Sequence, residues 1–272
     1  MDPVYIHLRE RACQIVSACP RPAFYVDCAD ACAWSRNFYA TDPVVGRVRR
    51  FVTTRLNDDF GHGLRHATKV SLDAGALVVA ETNRAHRRNA GLSAAVRHAQ
   101  CAGLLHDIER ERPDHARAGA VFAQHLLKQF PLPSAAVDDI CSAIGNHEAF
   151  KEMVEPPTEA AGLIDACLYD ADKFRWGPDN FTDTIWDMLA FERVPPAVFV
   201  RHYPRGMDSL QRIRGTFRSA TGRRYGPEFI DIGIEIGWRL YDVILDEFAP
   251  VLYTPEWSRA GPPGRRGSTE NK

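Results

Sequence analysis

The chain has 272 residues, 45% of them hydrophobic, which is enough for one sizeable core. A formal net charge of −1 argues against general nucleic-acid binding. The sequence contains no run of about 18 apolar residues, so we do not expect a membrane span. Because the seven cysteines are scattered and the first residues do not resemble a signal peptide, we expect a reduced, cytoplasmic protein.

Residues 1–45 differ in composition from the rest and form a predicted lead-in, with a helix over 4–16. Four of the seven cysteines lie here, namely Cys13, Cys19, Cys28 and Cys32. Only Cys28 and Cys32 have the spacing of paired zinc ligands. Small buried side chains on helices explain these cysteines more simply, and a metal or redox role for the lead-in stays open.

Residues 46–255 are predicted to form one all-α domain, because their apolar residues follow helical spacing with almost no strand-like alternation. Helices are expected over 63–84 and 92–108. His66 in the first and His106 in the second share a face with apolar residues, so both side chains should point into the core.

Three further helices repeat this pattern. One begins near His115, and a second, which Ser134 is predicted to cap, leads to His147. A third follows a pair of prolines and ends its apolar stripe on Asp172. Each of these helices therefore places a His or an Asp in line with core positions.

The C-terminal part is less regular. Residues 175–180 indicate a turn, 183–191 a short amphipathic helix and 227–248 a last helix. The segment 201–224 holds seven arginines against one acid, so it either lines a cleft and binds an anionic substrate or forms a solvated basic surface. Residues 256–272 lack periodicity and are predicted to be a disordered tail.

A His or an Asp directed into a core needs a hydrogen bond, an ion partner or a metal. Six such side chains are predicted to point inward, namely His66, His106, Asp107, His115, His147 and Asp172. Neutral imidazoles and carboxylates suit Mn, Fe, Co, Ni, Zn or Mg. The set contains no cysteine, which argues against a closed structural zinc site, and two His with two Asp leave positions open for water or substrate.

Three segments of the chain resemble the HD-domain metal-dependent phosphohydrolases. They are GHGLRHATKV at 61–70, LLHDI at 104–108 and YDADKF at 169–174. In that family a His before a helical x-x-x-Val, a His-Asp doublet and an Asp in an Ala-Asp-Lys-like segment hold the metal. The resemblance spans about residues 50–180 and implies an HD-type helical bundle between the lead-in and a C-terminal helical extension. The implied metal ligands are His66, His106, Asp107 and Asp172.

The last carboxylate has a rival, since Asp170 lies two residues before Asp172. On a helix the two side chains differ in direction by about 200°, so they cannot both face the metal. Asp172 is favoured because it shares a stripe with Ile164 and Leu168 and fits the Ala-Asp-Lys segment.

Some HD-like proteins hold a second metal ion through extra histidines between the doublet and the last Asp. In this chain His115 and His147 are the candidates, and Asp107 would then bridge the two ions. The alternative is that both histidines bind substrate phosphate or support the ligands of a single ion. Roles in binding substrate or in supporting the ligands are further expected for His62, Glu109, Lys173 and Arg175.

The resemblance implies hydrolysis of a phosphoester of a nucleotide or another small phosphorylated molecule by a metal-activated water. Asp107 or Glu109 would orient that water. Two alternatives remain: an HD-like di-iron oxygenase, which uses four His and two Asp, and a non-enzymatic metal-bound sensing module. The substrate, the metal, the number of ions and the oligomeric state do not follow from the sequence.

Overall fold

The structure is a computed structural model that describes residues 2–56, 63–84 and 91–252. These ranges are helical and contain no strand, which confirms the all-α prediction. None of the helices in them is both long and apolar enough to cross a membrane. His62 and the predicted tail at 256–272 lie outside the described residues.

In chain order, the described helices are α1 (Pro3–Ser17), α2 (Phe24–Asp27), α3 (Ala29–Thr41), α4 (Pro43–Arg55), α5 (Leu64–Arg84), α6 (Leu92–Leu105), α7 (His115–Leu127), α8 (Ser134–Gly145), α9 (Glu159–Phe174), a π-helix (Asn180–Thr184), α10 (Ile185–Phe191), α11 (Pro196–Ile213) and α12 (Ala220–Leu252).

Three helices begin at caps that can be read from the sequence. The side chains of Asp2 and Asp42 accept backbone N–H groups in the first turns of α1 and α4, and a proline follows each of them. Thr158 accepts the N–H of Ala161 and caps α9 in the same way. These contacts satisfy N–H groups that have no partner within the helix, so they fix where the helices start.

Two helix ends differ from the sequence prediction. The helix expected over 92–108 ends at Leu105, and Ile108 N–H then donates to Leu105 O across a turn. His106 and Asp107 therefore follow α6 directly. The last helix was predicted to begin at Pro227, because proline favours the first turn of a helix. It begins at Ala220 instead and continues through Pro227.

Helices α2, α3 and α11 were not predicted. The buried face of α3 consists of Ala31, Cys32, Ser35 and Tyr39, so it lacks the large aliphatic side chains that mark an amphipathic helix. In α11 the internal Pro204 argued for an interruption, yet the helix runs through it.

The core is organised around the pair α5 and α6, with α3, α8 and α9 packed against it. A Cβ atom on Gly103 would lie 2.6 Å from Ser71 Cα, so only glycine allows the two helix backbones to approach so closely. A second apolar cluster joins α1, the π-helix, α10, α11 and α12. The close pairing brings the start of α5 beside the end of α6.

Residues 1–45 contribute to both apolar clusters. Ser35 Oγ on α3 donates to Leu72 O on α5 at 2.7 Å, and Tyr5 Oη on α1 donates to Val194 O at 2.8 Å. The proposed boundary after residue 45 falls inside α4, and the division of the chain there stays a prediction. None of the clusters of potential metal ligands found among the described residues includes a cysteine.

Candidate metal centre

The ends of three helices bring four predicted ligands together. Nε2 of His66, at the start of α5, lies 3.2 Å from Nε2 of His106, just after α6. Asp172 Oδ1, near the end of α9, is 3.3 Å from His66 Nε2 and 3.7 Å from His106 Nε2. Asp107 Oδ2 is 3.3 Å from His106 Nε2 and 3.8 Å from His66 Nε2. We call these four buried residues the first ligand group.

These separations suit a divalent ion. Ligand atoms at about 2.1 Å from an octahedral ion, in neighbouring positions, lie about 3 Å from one another. Two imidazole nitrogens and two carboxylate oxygens make a mixed donor set that many divalent metals accept. The residues of the first ligand group therefore fit a metal ion.

Backbone carbonyls fix which ring nitrogen two of the four histidines direct at Asp107. His106 Nδ1 donates to Gly103 O at 2.9 Å, and His147 Nδ1 donates to Ile144 O at 2.7 Å. A carbonyl oxygen only accepts, so the proton of each neutral imidazole is on Nδ1 and the lone pair is on Nε2. Both Nε2 atoms point at Asp107, in the form that binds a metal.

A second ligand group shares Asp107 with the first. Asp107 Oδ1 lies 3.4 Å from His147 Nε2 and 3.6 Å from His115 Nε2, and all three residues are buried. The ligand atoms of this trio lie within 4.8 Å of one another, as do those of His66, His106 and Asp107. Because Oδ2 faces one group and Oδ1 the other, Asp107 is placed to bridge two ions. The two groups together are called the His–Asp cluster.

Asp172, and not Asp170, joins the His–Asp cluster. Lys173 Nζ donates to Asp172 Oδ2 at 2.5 Å, which leaves Oδ1 directed at the histidines. Burial alone would raise the pKa of Asp172, but Lys173 and the two histidines hold that pKa well below its usual range. Asp170 instead accepts the backbone N–H groups of Arg218 and Ser219 at 2.7 and 2.8 Å.

The two ligand groups differ in the pKa values of their histidines. Burial disfavours the imidazolium of His106, but Asp107 and Asp172 outweigh it and raise the pKa of His106 to about 10. At His115, burial dominates over the attraction of Asp107 and lowers the pKa to about 4. The carboxylates of the first group thus stabilise positive charge, which a bound metal ion would supply in place of the proton on His106. His115 stays neutral, as a metal ligand must be.

Arg110 is a site residue that the sequence analysis missed. Its guanidinium donates to His115 Nε2 at 2.8 Å and lies 3.7 Å from Asp107 Oδ1. Its signal in the sequence is a position three residues after Asp107. Glu109, which had been expected near the site, pairs with Arg55 at 3.3 Å instead.

Arg175 borders the site but its donors are taken. The guanidinium donates to the carboxylates of Asp73 and Asp179 and, at 2.9 Å, to Tyr25 Oη. The contact with Asp73 ties α5 to the segment after α9, and the contact with Tyr25 ties α2 to the same segment. A role of Arg175 in binding substrate stays a prediction, and so does that of Lys173, which is bound to Asp172.

A cavity of about 660 Å³ opens beside the His–Asp cluster. His66, Asp107 and Asp172 form part of its wall, and side chains of the π-helix, α10 and α11 form much of the rest. None of the seven arginines at 201–224 borders this cavity, which disfavours the alternative that they line the cleft and leaves the solvated basic surface as the prediction. For example, Arg218 is bound to Asp165 at 2.7 Å on another face of α9.

Comparison with known proteins gives one match. Residues 64–176 match the family model described as HD domain. This stretch runs from the start of α5 to just after α9 and contains all six side chains of the His–Asp cluster. No curated protein and no solved structure matches the chain.

Proposed function

Because residues 64–176 form an HD domain, we propose that this protein is a metal-dependent phosphohydrolase that cleaves a phosphoester of a small phosphorylated molecule. A nucleotide is one candidate substrate. The observation that carries the proposal is Asp107, whose two oxygens face two buried ligand groups beside a cavity. Paired ligand groups that share one carboxylate suit hydrolysis at phosphorus, where charge develops on both the attacking and the leaving oxygen.

The first ligand group would hold one divalent ion, and Asp107 with His115 and His147 would hold a second once Arg110 releases His115 Nε2. When bound, such ions polarise a phosphoryl oxygen and lower the pKa of a water molecule to near neutrality. In the hydrolysis, water forms a bond to phosphorus, the bond from phosphorus to the alcohol oxygen breaks, and the alcohol leaves with a proton.

The surrounding residues prepare the cluster for this chemistry. Lys173 keeps Asp172 ionised and aimed, while the carbonyls of Gly103 and Ile144 fix the tautomers of His106 and His147. The guanidinium of Arg110 borders the cavity, where it can donate to phosphate oxygens in a bidentate way.

The same cluster supports a second candidate function. Four histidines and two aspartates meet around Asp107, which is also the ligand count of HD-like proteins that hold two irons and activate oxygen. Metal analysis of protein purified without oxygen discriminates between the two functions. Two coupled irons per chain, with no hydrolysis of any phosphoester, would favour the oxygenase.

The test of hydrolysis uses the full chain stripped of metal. Mn, Fe, Co, Ni, Zn and Mg are added back one at a time, and phosphate release is measured with an aryl phosphate and with a panel of nucleotides and alkyl phosphates. We expect at least one metal to restore turnover and a chelator to remove it. Absence of turnover with every metal and every ester would overturn the proposal.

A further inference from the structure

The cavity beside the His–Asp cluster has two different kinds of wall. One part carries the ligands His66, Asp107 and Asp172 with the cations Arg110 and Lys173. The other part comes from the π-helix, α10 and α11 and is formed mainly by Phe, Met, Leu, Val and Ile side chains. A ligand that fills this space must combine an anionic group with an apolar body.

Most of the apolar part of the wall lies outside the HD domain. The family match ends at residue 176, and the side chains in question begin with Phe181 on the π-helix and end with Ile213 on α11. A π-helix is uncommon and often occurs at functional sites. The HD domain therefore contains the predicted metal ligands, and the C-terminal extension of this chain supplies most of the apolar wall.

The apolar wall offers few hydrogen bonds. Tyr203 supplies a phenol to this wall, and its hydroxyl already donates to Gly237 O at 2.8 Å. Ser209 donates to Arg205 O at 3.1 Å. Asn180 and Thr184 also border the cavity, but both lie on the π-helix near the HD domain. Glu192 and His202 border it at exposed positions, and His202 Nδ1 already donates to Val198 O at 2.9 Å. A buried nucleobase needs partners for several polar atoms, and a hydrocarbon needs none.

Helix α11 leaves a gap in this wall. Phe199, Tyr203, Gly206, Leu210 and Ile213 recur at helical spacing on the face that borders the cavity. Gly206 is the member of this stripe without a side chain, and a Cβ atom placed there would meet nothing within 4 Å. A larger side chain at position 206 would therefore enter open space at the edge of the cavity.

We propose that the substrate is an amphipathic phosphomonoester, namely the phosphate of a long aliphatic alcohol. Its phosphate lies at the His–Asp cluster and its hydrocarbon chain lies against α10 and α11. This inference rests on the proposed function, and hydrolysis yields the free alcohol and inorganic phosphate. Met188 and Met207 on the wall are unbranched and adaptable, which suits a flexible chain.

The test is a homologous series of n-alkyl phosphates, from ethyl to decyl, kept below the concentration at which they form micelles. We expect kcat/KM to rise about fourfold for each added methylene until the cavity is filled, the factor that corresponds to about 0.8 kcal/mol per buried methylene. Octyl phosphate should then be a better substrate than adenosine monophosphate. Equal kcat/KM along the series, or a preference for the nucleotide, would overturn the inference.

A pair of matched variants locates the effect. Gly206→Leu places a side chain in the gap, and we expect it to lower the ratio of kcat/KM for octyl over ethyl phosphate more than about tenfold. Gly215→Leu is the control, because a Cβ there also meets nothing within 4 Å but Gly215 does not border the cavity. An unchanged ratio in both variants would contradict the placement of the chain against α11.

Binding of n-alkylphosphonates separates this inference from the proposed function, because they have no ester bond to hydrolyse. Affinity for the Mn²⁺-loaded full chain is measured by calorimetry along the same series. Affinity that rises with chain length, without hydrolysis of any ester, would support the ligand class and overturn the phosphohydrolase. Hydrolysis of ethyl phosphate, with no effect of chain length on either measurement, would support the enzyme and overturn the ligand class.

Discussion

Lys173 Nζ donates a 2.5 Å hydrogen bond to Oδ2 of Asp172, the residue that precedes it on α9. Both side chains are buried, and Oδ1 of the carboxylate remains directed at His66 and His106. The contact orients a predicted ligand and keeps it charged, so Lys173 would act on a bound metal through its neighbour.

Replacing Lys173 with Met should therefore weaken metal binding. Removal of a partner that supports a ligand typically costs about 10-fold to 100-fold in metal affinity, and we expect Lys173→Met to raise the Kd for Mn²⁺ by that factor. Calorimetric titration of the metal-free chain measures it. Lys151→Met, at an exposed lysine, is the matched control. Equal affinities in the two variants would show that Lys173 does not support metal binding.

The shared position of Asp107 predicts two ions per chain. His147→Gln removes a predicted ligand that belongs only to the second group, so we expect bound metal to fall from two ions to one while His66 and His106 keep theirs. Elemental analysis of metal-loaded, desalted protein gives the number. One ion in the wild type, with no loss in His147→Gln, would show a single-metal site.

The buried pair of Asp73 and Arg175 predicts a large effect on stability. Asp73→Ala leaves the guanidinium of Arg175 with one fewer charged partner in the core, and we expect the free energy of unfolding to fall by about 3 kcal/mol. Urea denaturation measures the change. Asp30→Ala, at an exposed carboxylate, should change stability by less than about 0.5 kcal/mol. A similar small change in Asp73→Ala would contradict the structural role of the pair.

His98 predicts part of the pH dependence of folding. Burial and, to a lesser extent, Arg97 lower the pKa of His98 to about 4. Below about pH 6.5 the unfolded chain binds a proton that the folded chain does not, so stability is present above that pH and is lost as the pH falls towards 4. The expected loss between about pH 7 and pH 5 is up to about 2 kcal/mol.

The variant His98→Leu tests that assignment, because leucine cannot titrate. We expect its free energy of unfolding to fall less than that of the wild type over the same pH interval, as followed by urea denaturation at each pH. Parallel losses in the two proteins would mean that His98 does not contribute.

Local sequence patterns were sufficient to predict which residues of the first ligand group face the core. Helical spacing put His66 and His106 on core-facing stripes, and the stripe on α9 distinguished Asp172 from Asp170. These are periodicities within single helices, which a sequence displays directly. The resemblance to the HD-domain family, by contrast, supplied the idea that these residues act together.

Features that depend on turns and on packing between helices were not predictable. Arg110 reaches His115 only because the chain turns after α6, and Arg175 is held by Asp73 on α5. The cavity needs α11, a helix that Pro204 obscured in the sequence. Contacts of this kind are set by tertiary packing, which overrides local propensity.

We propose that the cluster around Asp107 binds metal and hydrolyses a phosphoester. This claim is tested most directly by titrating metal-free protein with Mn²⁺ while bound metal and phosphate release are measured in the same samples. We predict that both rise together in the wild type and in Asp114→Asn, an exposed control, and that Asp107→Asn lowers phosphate release more than about 100-fold. Phosphate release by Asp107→Asn at the wild-type rate would contradict the claim.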